Sequence, residues 1–382
     1  MYNFGLDHEQ RQLTEALRKY LQNELPIAAT REIISSGDRF ASTHWRALAD
    51  LGFIGLGIPD EYGGGNLGCT EMVAIAEELG RAMLPAPYVE TVAVADLIAR
   101  AGNAEQKNRL LRDICSGDCV ATLAADEPGA YWSVDHLQAS ATASGDRFVL
   151  SGTKLWSAYA HVADLIVCPV RMGGPTDDIG LVALRAKRLG ARIHVLDAID
   201  DAYPLCELSL EGLIVSEADF IGLPRDARAH WTRTEQLATL LNSAVLVGGI
   251  ERGLEMLVGF SKDRTQFGKP IGSYQAVKHR CADILTDLET VRGSVYFAAW
   301  AKQQNSDNCA MATSAAKALA SDAAVRAAEK CLQSFGAIGF TWEHDIHFYL
   351  KRAKRIEMTL GDASFHRERI ASLIFSDRER TF

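Results

Sequence analysis

The spacing of apolar residues in the first third of the chain is helical. Leu13, Leu17 and Leu21 recur every four residues, which is the spacing of one helix face. Asp7 precedes them in the position of a helix cap, and Gln10 is placed to complete a capping box. The same spacing returns after Ser42, from 71 to 81 and from 89 to 101. We therefore predict an N-terminal helical domain over residues 1–115.

Between residues 116 and 228 the pattern changes to short apolar runs. Runs such as RFVLS, DLIVCPV and IGLVAL are separated by Gly, Pro and Asp, which is typical of β-strands joined by turns. Because long helical patterns do not separate the runs, the pattern argues against a parallel nucleotide-binding sheet. We predict a separate middle domain that is an antiparallel β-barrel or sandwich.

From residue 229 to residue 382 helical spacing returns. Four long segments carry it, at 235–260, 274–303, 310–333 and 346–375, and the last has a break near Gly361. On the second segment Val277, Cys281 and Ile284 belong to an apolar stripe of the kind by which bundle helices pack. The pattern predicts a C-terminal four-helix bundle. The fold class is therefore α+β, with three domains in the order α, β, α.

Composition and charge limit what the protein can bind. With 382 residues and 48% hydrophobic content, the chain can bury cores in two or three structural units. Its formal net charge of −9 gives no overall attraction to nucleic acid or to an anionic membrane. The sequence has neither an apolar stretch of membrane-spanning length nor a leader pattern. We expect a cytoplasmic protein without membrane insertion.

Residues that often bind metals or phosphates are not arranged for either role. The eight cysteines form no paired CxxC motif, and His344 and His347 have no third ligand near them in the sequence. The glycines at 63–65 lack the strand and the Lys-Ser/Thr pair of a phosphate loop. We expect reduced cysteines and no metal.

The segment RTQFGKPIGSYQAVKH, from Arg264 to His279, combines groups suited to a dinucleotide. A guanidinium offers paired donors to a phosphate, an amide adds a hydrogen bond, and an aromatic ring covers apolar cofactor surface. The run R-x-Q-F-G-K-P-I-G-x-x-Q-A-V resembles the signature of the acyl-CoA dehydrogenase family. Further resemblances follow in order along the chain, at WRALADLGFIGLGIPDEYGGGN, EELGRAMLPAPYVET, LSGTKLWSAYAHVADLIV and QSFGAIGFTWEHDIHFYLKRAKRIE.

The resemblance implies a bound flavin adenine dinucleotide (FAD) between the β domain and the bundle, reached by a loop from a neighbouring subunit. Arg264, Gln266 and Phe267 match that loop. Small residues in a second loop would let its backbone approach the cofactor. The other residues implied to contact the cofactor are Ile271, Tyr274, Val277, Gln333, Gly336 and Ala337.

On the β-domain side the chain departs from the family at two places. The family's Thr-Glu-Pro-Gly-Ala-Gly-Ser-Asp run becomes the run from Asp126 to Ser133, with Tyr131 and Trp132 in place of small residues. The family's Trp-Ile-Thr-Asn becomes Trp-Ser-Ala-Tyr, from 156 to 159. The resemblance implies that Trp156 covers the isoalloxazine ring and that Ser157 offers a hydroxyl one position before the family's threonine.

The resemblance also implies a reaction, the α,β-dehydrogenation of an acyl-CoA thioester. A glutamate removes the α proton while hydride passes from the β carbon to the flavin. The family places this glutamate before a glycine in the last helical segment, where this chain has Leu360 before Gly361. A second family position matches Ala238, and Glu235 lies about one turn earlier on the same helix face. Glu235 is therefore our candidate base.

The missing glutamate leaves two arrangements open. Either the chain uses a displaced base, or a related partner chain in a hetero-oligomer supplies the glutamate. GFTWEHD, LKRAK and LGDA resemble the branch of the family that acts on steroid side-chain thioesters and forms mixed tetramers. The resemblance thus implies an acyl-CoA substrate, a homo- or hetero-tetramer and an electron acceptor such as an electron-transfer flavoprotein. Two alternatives stay open, a flavin-dependent monooxygenase of the same fold and a non-catalytic assembly subunit.

Overall fold

The computed structural model describes residues 5–129, 132–173 and 178–379. The chain divides into two compact units. The first, here called the helical unit, comprises Met1–Arg31, Cys69–Leu84 and Thr239–Phe382. The second, here called the β unit, comprises Glu32–Gly68 and Pro85–Ala238.

Helices occupy the two ends of the chain, in the order that the apolar pattern predicts. A short π-helical stretch, Lys107–Leu111, joins the sixth α-helix of the chain to the seventh α-helix. The helices are α1 His8–Glu24, α2 Ile27–Ser35, α3 Ser42–Asp50, α4 Cys69–Arg81, α5 Tyr88–Ala101, α6 Ala104–Gln106, α7 Arg112–Cys115, α8 Pro224–Asp263, α9 Gln275–Gln303, α10 Cys309–Phe335, α11 Ile346–Met358 and α12 Ala363–Glu379.

The local signals for helix ends are confirmed. The Asp7 side chain accepts a hydrogen bond from the Gln10 N–H at 2.9 Å, and the Gln10 side chain accepts one from the Asp7 N–H at 2.9 Å. This capping box begins α1. Gly52 follows α3 with φ of 81°, a left-handed conformation that glycine adopts without a steric penalty. The break near Gly361 is the gap between α11 and α12.

In the helical unit, neighbouring helices approach closely at small residues. A Cβ atom at Gly80 would lie 2.2 Å from the Val245 carbonyl oxygen, and one at Gly248 would lie 1.9 Å from the Glu77 carbonyl oxygen. Only glycine therefore fits where α4 crosses α8. The alanine-rich α10 packs against α9, α11 and α12, and its Ala316 is fully buried.

The strands form two sheets in the β unit and a short hairpin in the helical unit. The first sheet has the order β1-β5-β2-β3-β9 with β6 paired to β5, and the second has the order β4-β8-β7. The strands are β1 Ala121–Leu123, β2 Ser140–Ser144, β3 Arg147–Ser151, β4 Thr153–Ala158, β5 Leu165–Met172, β6 Ile179–Arg185, β7 Ile193–Leu196, β8 Leu205–Ser209, β9 Leu213–Val215, β10 Thr265–Gln266 and β11 Lys269–Pro270.

Most strand pairs are antiparallel, as predicted, but β5 pairs in parallel with both β1 and β2. The sequence pattern does not reveal these two parallel pairs, because parallel and antiparallel strands can carry the same short apolar runs. Ile166, Val182 and Leu208 lie in the core of the β unit and are fully inaccessible to solvent. Among the helices of the described residues, none is long and apolar enough to cross a membrane.

Candidate functional site

The segment from Arg264 to Pro270 forms a tight hairpin that projects from the helical unit. Strands β10 and β11 pair through Gln266 and Lys269, and the two residues between them, Phe267 and Gly268, have φ of 51° and 79°. Two consecutive positive φ values are typical of a two-residue hairpin turn. The turn places the Phe267 ring in solvent, with 93% of its surface exposed. An aromatic ring so exposed is available to cover a ligand.

The Arg264 side chain is exposed, while its backbone is fixed on both sides. The Arg264 N–H donates to the Phe260 carbonyl at 2.8 Å, and the Arg264 carbonyl accepts from the Ile271 N–H at 2.8 Å. Its guanidinium has no hydrogen-bond or ion-pair partner among the residues that the structure describes. The backbone therefore holds a cation whose donors are all available to an anion.

The end of α10 lies beside the base of this hairpin. The rings of Phe260 and Phe335 pack with centroids 4.8 Å apart, and Gly336 and Ala337 follow Phe335 directly. Gly336 ends α10 with φ of 68° and ψ of −144°, a conformation that only glycine adopts readily. The Gln333 side chain is exposed on the last turn of α10. The structure thus brings the two predicted cofactor loops to the same end of the helical unit.

The remaining predicted cofactor contacts of the helical unit follow the hairpin. Ile271 opens a 3-10 turn, Tyr274 is the N-cap of α9, and Val277 lies in the first turns of α9. All three are half-buried. The Tyr274 hydroxyl donates to the Gln266 carbonyl at 3.1 Å, and the Lys269 ammonium lies 4.4 Å from the centre of the Tyr274 ring. These contacts tie the hairpin to the start of α9.

In the β unit, Trp156 and Ser157 lie at an irregularity of β4. The register of β4 against β8 shifts between Lys154 and Ser157, and Trp156 has φ of 53°. The extra residue turns the indole outward, so that 52% of Trp156 is exposed. The Ser157 hydroxyl is buried and has no hydrogen-bond partner within the described residues. A buried hydroxyl without a partner is unfavourable, and a hydrogen bond to a bound ligand would satisfy it.

The run from Asp126 to Ser133 is anchored by a buried ion pair that sequence reasoning missed. The Lys154 ammonium lies 2.5 Å from Glu127 and donates to the Pro169 carbonyl at 2.7 Å. Glu127 also accepts from the Gln138 N–H at 2.6 Å. Burial raises the pKa of Asp126 to about 6, against the opposing effect of Lys154. Trp132 has φ of 57°, whereas Tyr131 lies outside the described residues. The only signal for the pair in the sequence is a lysine inside an apolar strand.

The two positions considered for a base differ in structure. Glu235 is a partly buried residue of α8 in the β unit, and Ala238, one turn further on, is buried. Leu360 lies in the turn between α11 and α12, in the helical unit, with φ of 57°. A left-handed conformation costs a residue such as leucine about 1–2 kcal/mol. The turn thus holds Leu360 in a strained backbone conformation. The leucine side chain cannot accept a proton.

A second buried carboxylate escaped the sequence analysis. Glu90 on α5 is buried, and its carboxylate accepts a hydrogen bond from the Tyr203 hydroxyl at 2.6 Å. The Tyr203 ring packs edge-on against Tyr159, with centroids 4.8 Å apart. Tyr159 comes three residues after Trp156 in the chain. The signal for Glu90 is an acid between apolar residues in the first turn of a mostly apolar helix, YVETVAVADLIA.

The histidines of WEHDIH serve packing and hydrogen bonding. The His344 ring contacts Phe335, with centroids 4.2 Å apart, and its Nδ1 accepts from the Ile346 N–H at 3.2 Å. The His347 ring stacks on Trp342 at 4.9 Å. Burial lowers the pKa of both histidines. Within the described part of the chain, no group of three His, Cys, Asp or Glu residues is placed to hold a metal ion.

Taken together, the exposed groups fit a flavin dinucleotide. An unpaired guanidinium and an amide suit the diphosphate, exposed aromatic rings suit the apolar surfaces, and Gly336 with Ala337 leaves room for backbone approach. The orphaned Ser157 hydroxyl could be satisfied by a polar edge of the ligand.

Comparison with known proteins finds the same family, the acyl-CoA dehydrogenases, at both ends of the chain. Residues 7–118 match the model of the acyl-CoA dehydrogenase N-terminal domain, and residues 236–375 match that of the C-terminal domain. The acyl-CoA dehydrogenase FadE27 of Mycobacterium tuberculosis is 31% identical over 89% of this chain and 90% of its own.

Two solved structures resemble the chain over nearly its full length. The ChsE4-ChsE5 complex from Mycobacterium tuberculosis is 27% identical, with a TM-score of 0.88 over 98% of this chain and 99% of the matched chain. A Tcur3481-Tcur3483 steroid ACAD variant is 26% identical, with a TM-score of 0.86 over 97% of this chain and 99% of the matched chain.

Proposed function

Because the chain belongs to the acyl-CoA dehydrogenase family, we propose that it is a subunit of an enzyme that dehydrogenates a bulky acyl-CoA thioester, with a related partner chain supplying the base. The chain is an FAD-dependent oxidoreductase, as its family membership establishes. The observation that carries the proposal is Leu360. It occupies the turn where the family resemblance implies a glutamate, and a leucine cannot accept the α proton.

We assign the cofactor contacts to the exposed groups described above. Arg264 would pair with the diphosphate, Gln266 would add a hydrogen bond, and Phe267 would cover apolar surface. In the β unit Trp156 would cover the isoalloxazine. A bound FAD would supply the hydride acceptor for the dehydrogenation, and these residues would hold it. The protein's own task is to hold the thioester and keep water from it.

Two properties of similar proteins support a bulky substrate and a hetero-oligomer. The similar ChsE4-ChsE5 structure is a complex of two differently named chains, and the other similar structure is named as a steroid ACAD. We propose a thioester of a steroid side chain or another bulky acyl group, a mixed tetramer, and an electron-transfer flavoprotein as acceptor. Glu235 is the competing candidate for the base, because it lies on the helix that carries the family's second base position.

The experiment is acceptor reduction by the purified chain, alone and together with related acyl-CoA dehydrogenase chains. We expect no thioester-dependent reduction by the chain alone and clear reduction by a complex. Glu235→Gln in this chain should leave the rate of the complex unchanged. Reduction by the chain alone that is abolished by Glu235→Gln would instead establish a displaced base and overturn the partner proposal.

A second candidate function is a non-catalytic assembly subunit. The observation that favours it is the pair of departures at Leu360 and Trp132, which replace an acid and a small residue. Flavin content separates the two functions, since an assembly subunit that binds no cofactor stays colourless even within its complex. A monooxygenase of the same fold would form a hydroxylated product when supplied with reduced flavin and oxygen, and no hydroxylated product is expected here.

A further inference from the structure

Trp156 has a backbone conformation that its neighbours must enforce. Its φ is 53°, and Tyr159, three residues later, has φ of 52°. A bulky residue with positive φ persists only where the surrounding structure holds it. Before Trp156, the chain is fixed by the buried ion pair of Lys154 with Glu127. The contacts that fix the chain after Trp156 therefore also decide where the exposed indole points.

Tyr159, directly after β4, is the buried anchor on that side. Its hydroxyl donates to the Ala202 carbonyl at 2.8 Å. Its N–H donates to the Pro204 carbonyl at 2.9 Å. Its ring packs edge-on against Tyr203, with centroids 4.8 Å apart. Tyr159 is thus held by the consecutive residues 202–204, and the position of this segment sets the position of Tyr159.

Glu90 on α5 fixes the middle residue of that segment. Its buried carboxylate accepts a hydrogen bond from the Tyr203 hydroxyl at 2.6 Å. The next residue of α5, Thr91, donates to the Ala121 carbonyl of β1 at 2.7 Å, so α5 is itself fixed against the sheet. Direct contacts therefore connect Glu90 to Tyr203 and Tyr203 to Tyr159, all within the β unit.

A buried carboxylate is a costly way to hold a tyrosine. Removing a carboxylate from water carries a large desolvation penalty, and replacing a buried polar pair by apolar residues of similar shape is often neutral or stabilising. A hydrogen bond to a carboxylate, in contrast, is short and directional, and it fixes the donor in one place. The pair of Glu90 and Tyr203 is therefore better suited to fixing a geometry than to adding stability.

We propose that Glu90 and Tyr203 are positioning residues, which act through Tyr159 to hold the Trp156 indole where it covers the flavin. This inference rests on the proposed function, because Trp156 is assigned there to the isoalloxazine. Neither Glu90 nor Tyr203 touches the cofactor itself. Without their hydrogen bond the indole is still present, but its direction is no longer fixed.

Tyr203→Phe tests the hydrogen bond, because it removes the hydroxyl and keeps the ring. We expect the affinity for FAD to fall about threefold to tenfold, the value of one oriented aromatic contact. The fluorescence of the bound flavin should rise, because an indole stacked on an isoalloxazine quenches it. Equilibrium dialysis gives the affinity, and the emission of the FAD-loaded protein gives the quenching.

Tyr296→Phe is the matched control. The Tyr296 hydroxyl donates to buried Glu77 at 3.0 Å in the helical unit, so the substitution makes the same chemical change away from Trp156. Each variant leaves a buried carboxylate without one donor, and both should lose thermal stability. Only Tyr203→Phe should lose FAD affinity and flavin quenching.

Two substitutions of Glu90 separate its hydrogen bond from its volume. The amide oxygen in Glu90→Gln still accepts from the Tyr203 hydroxyl, so this variant should bind FAD nearly as the wild type does. Glu90→Met cannot accept and should bind as weakly as Tyr203→Phe. The double variant Glu90→Met/Tyr203→Phe removes both polar groups and should fold stably. Its FAD affinity should stay low, which shows that weak binding is not loss of the fold.

Trp156→Ala separates the inference from the function on which it rests. It should weaken FAD binding, and adding Tyr203→Phe should cause no further loss, because Tyr203 acts through Trp156. Additive losses, or wild-type FAD affinity and quenching in both Tyr203→Phe and the Glu90→Met/Tyr203→Phe variant, would overturn the inference alone. Wild-type FAD affinity in Trp156→Ala, or a wild-type protein that binds no FAD, would overturn the cofactor assignment and the inference with it.

Discussion

At the scale of single residues, the most informative side chains are those whose polar groups lack a partner in the protein. Arg264 is exposed and unpaired within the described residues, and the Ser157 hydroxyl is buried and unpaired there. A surface cation costs little to leave in water, whereas a buried hydroxyl without a hydrogen bond is unfavourable. Both groups are therefore expected to gain from a bound flavin.

The first prediction concerns Arg264. Replacing a guanidinium that pairs with a diphosphate removes a charge-assisted hydrogen bond worth about 1.5–3 kcal/mol, so Arg264→Ala should weaken FAD binding about tenfold or more. Lys262→Ala, an exposed cation two residues earlier, should retain FAD, and so should Glu235→Ala. Equilibrium dialysis of FAD measures the three affinities. Equal FAD retention by all variants would exclude Arg264 from the cofactor site.

The second prediction concerns His366 and pH. Its pKa is lowered from 6.5 to about 4 in the folded protein, so the unfolded chain takes up a proton first as the pH falls. The free energy of unfolding should therefore decrease between pH 6.5 and pH 4, by about 3 kcal/mol from this group. His366→Gln should flatten that part of the profile, while His136→Gln, at an exposed position, should not. The free energy of unfolding is measured in urea as a function of pH. Identical pH profiles for the wild type and His366→Gln would contradict this prediction.

The sequence reveals a site residue more readily when the residues that act with it are close in the chain. Arg264, Gln266 and Phe267 stand in one short motif, so their chemistry is visible in consecutive letters. Lys154 pairs with Glu127, and Lys317 caps carbonyls some forty residues later. Such partners become neighbours only through the tertiary fold. Sequence patterns therefore predicted the exposed donors and missed the buried ion pair and the lysine that holds the Leu360 turn.

At the scale of elements, helices were easier to predict than strand pairing. The spacing of apolar residues predicts that α4, α5 and α9 are helices, and the glycine after α3 marks the end of that helix. Strand order and direction depend on long-range pairing, so the parallel alignment of β1 and β2 with β5 was not predicted. The partial exposure of Val277 and Cys281 on α9, within the stripe predicted to pack, has the same cause, since the neighbouring helices decide which part of a stripe is covered.

The third prediction concerns the charged side chains between α4 and α9. Arg292 on α9 binds buried Glu77 at 2.8 Å and exposed Glu289 at 2.9 Å. Glu77 also accepts from the Tyr296 hydroxyl, and burial raises its pKa. Glu77→Ala should lower the free energy of unfolding by about 2–3 kcal/mol, because it removes the buried partner of Arg292 and leaves the buried Tyr296 hydroxyl without its acceptor.

Glu289 provides the matched control for this prediction. It pairs with the same arginine from the surface, so Glu289→Ala should cost about 0.5 kcal/mol or less. Urea unfolding measures both variants under the same conditions. Equal losses from the two substitutions would mean that burial does not determine the strength of this ion pair.

At the scale of the whole molecule, the chain presents exposed groups that suit a flavin dinucleotide, and Leu360 stands where the family resemblance implies a glutamate. Its net charge of −9 means that anionic ligands must be met by local cations such as Arg264. Lys317 hydrogen-bonds the Gly361 carbonyl and His366 lies within hydrogen-bond distance of the Leu360 carbonyl, so the turn is held without an acid at position 360. These features favour a subunit that binds cofactor and thioester and depends on a partner chain for proton removal.

The most direct test of this account is the visible absorbance of the flavin in the purified chain as acyl-CoA is added without oxygen. We predict a yellow protein whose flavin remains oxidised with thioester present, and whose flavin is reduced when the partner chain is added. A colourless protein in the presence of its partner, or full reduction of the flavin by the chain alone, would contradict the account.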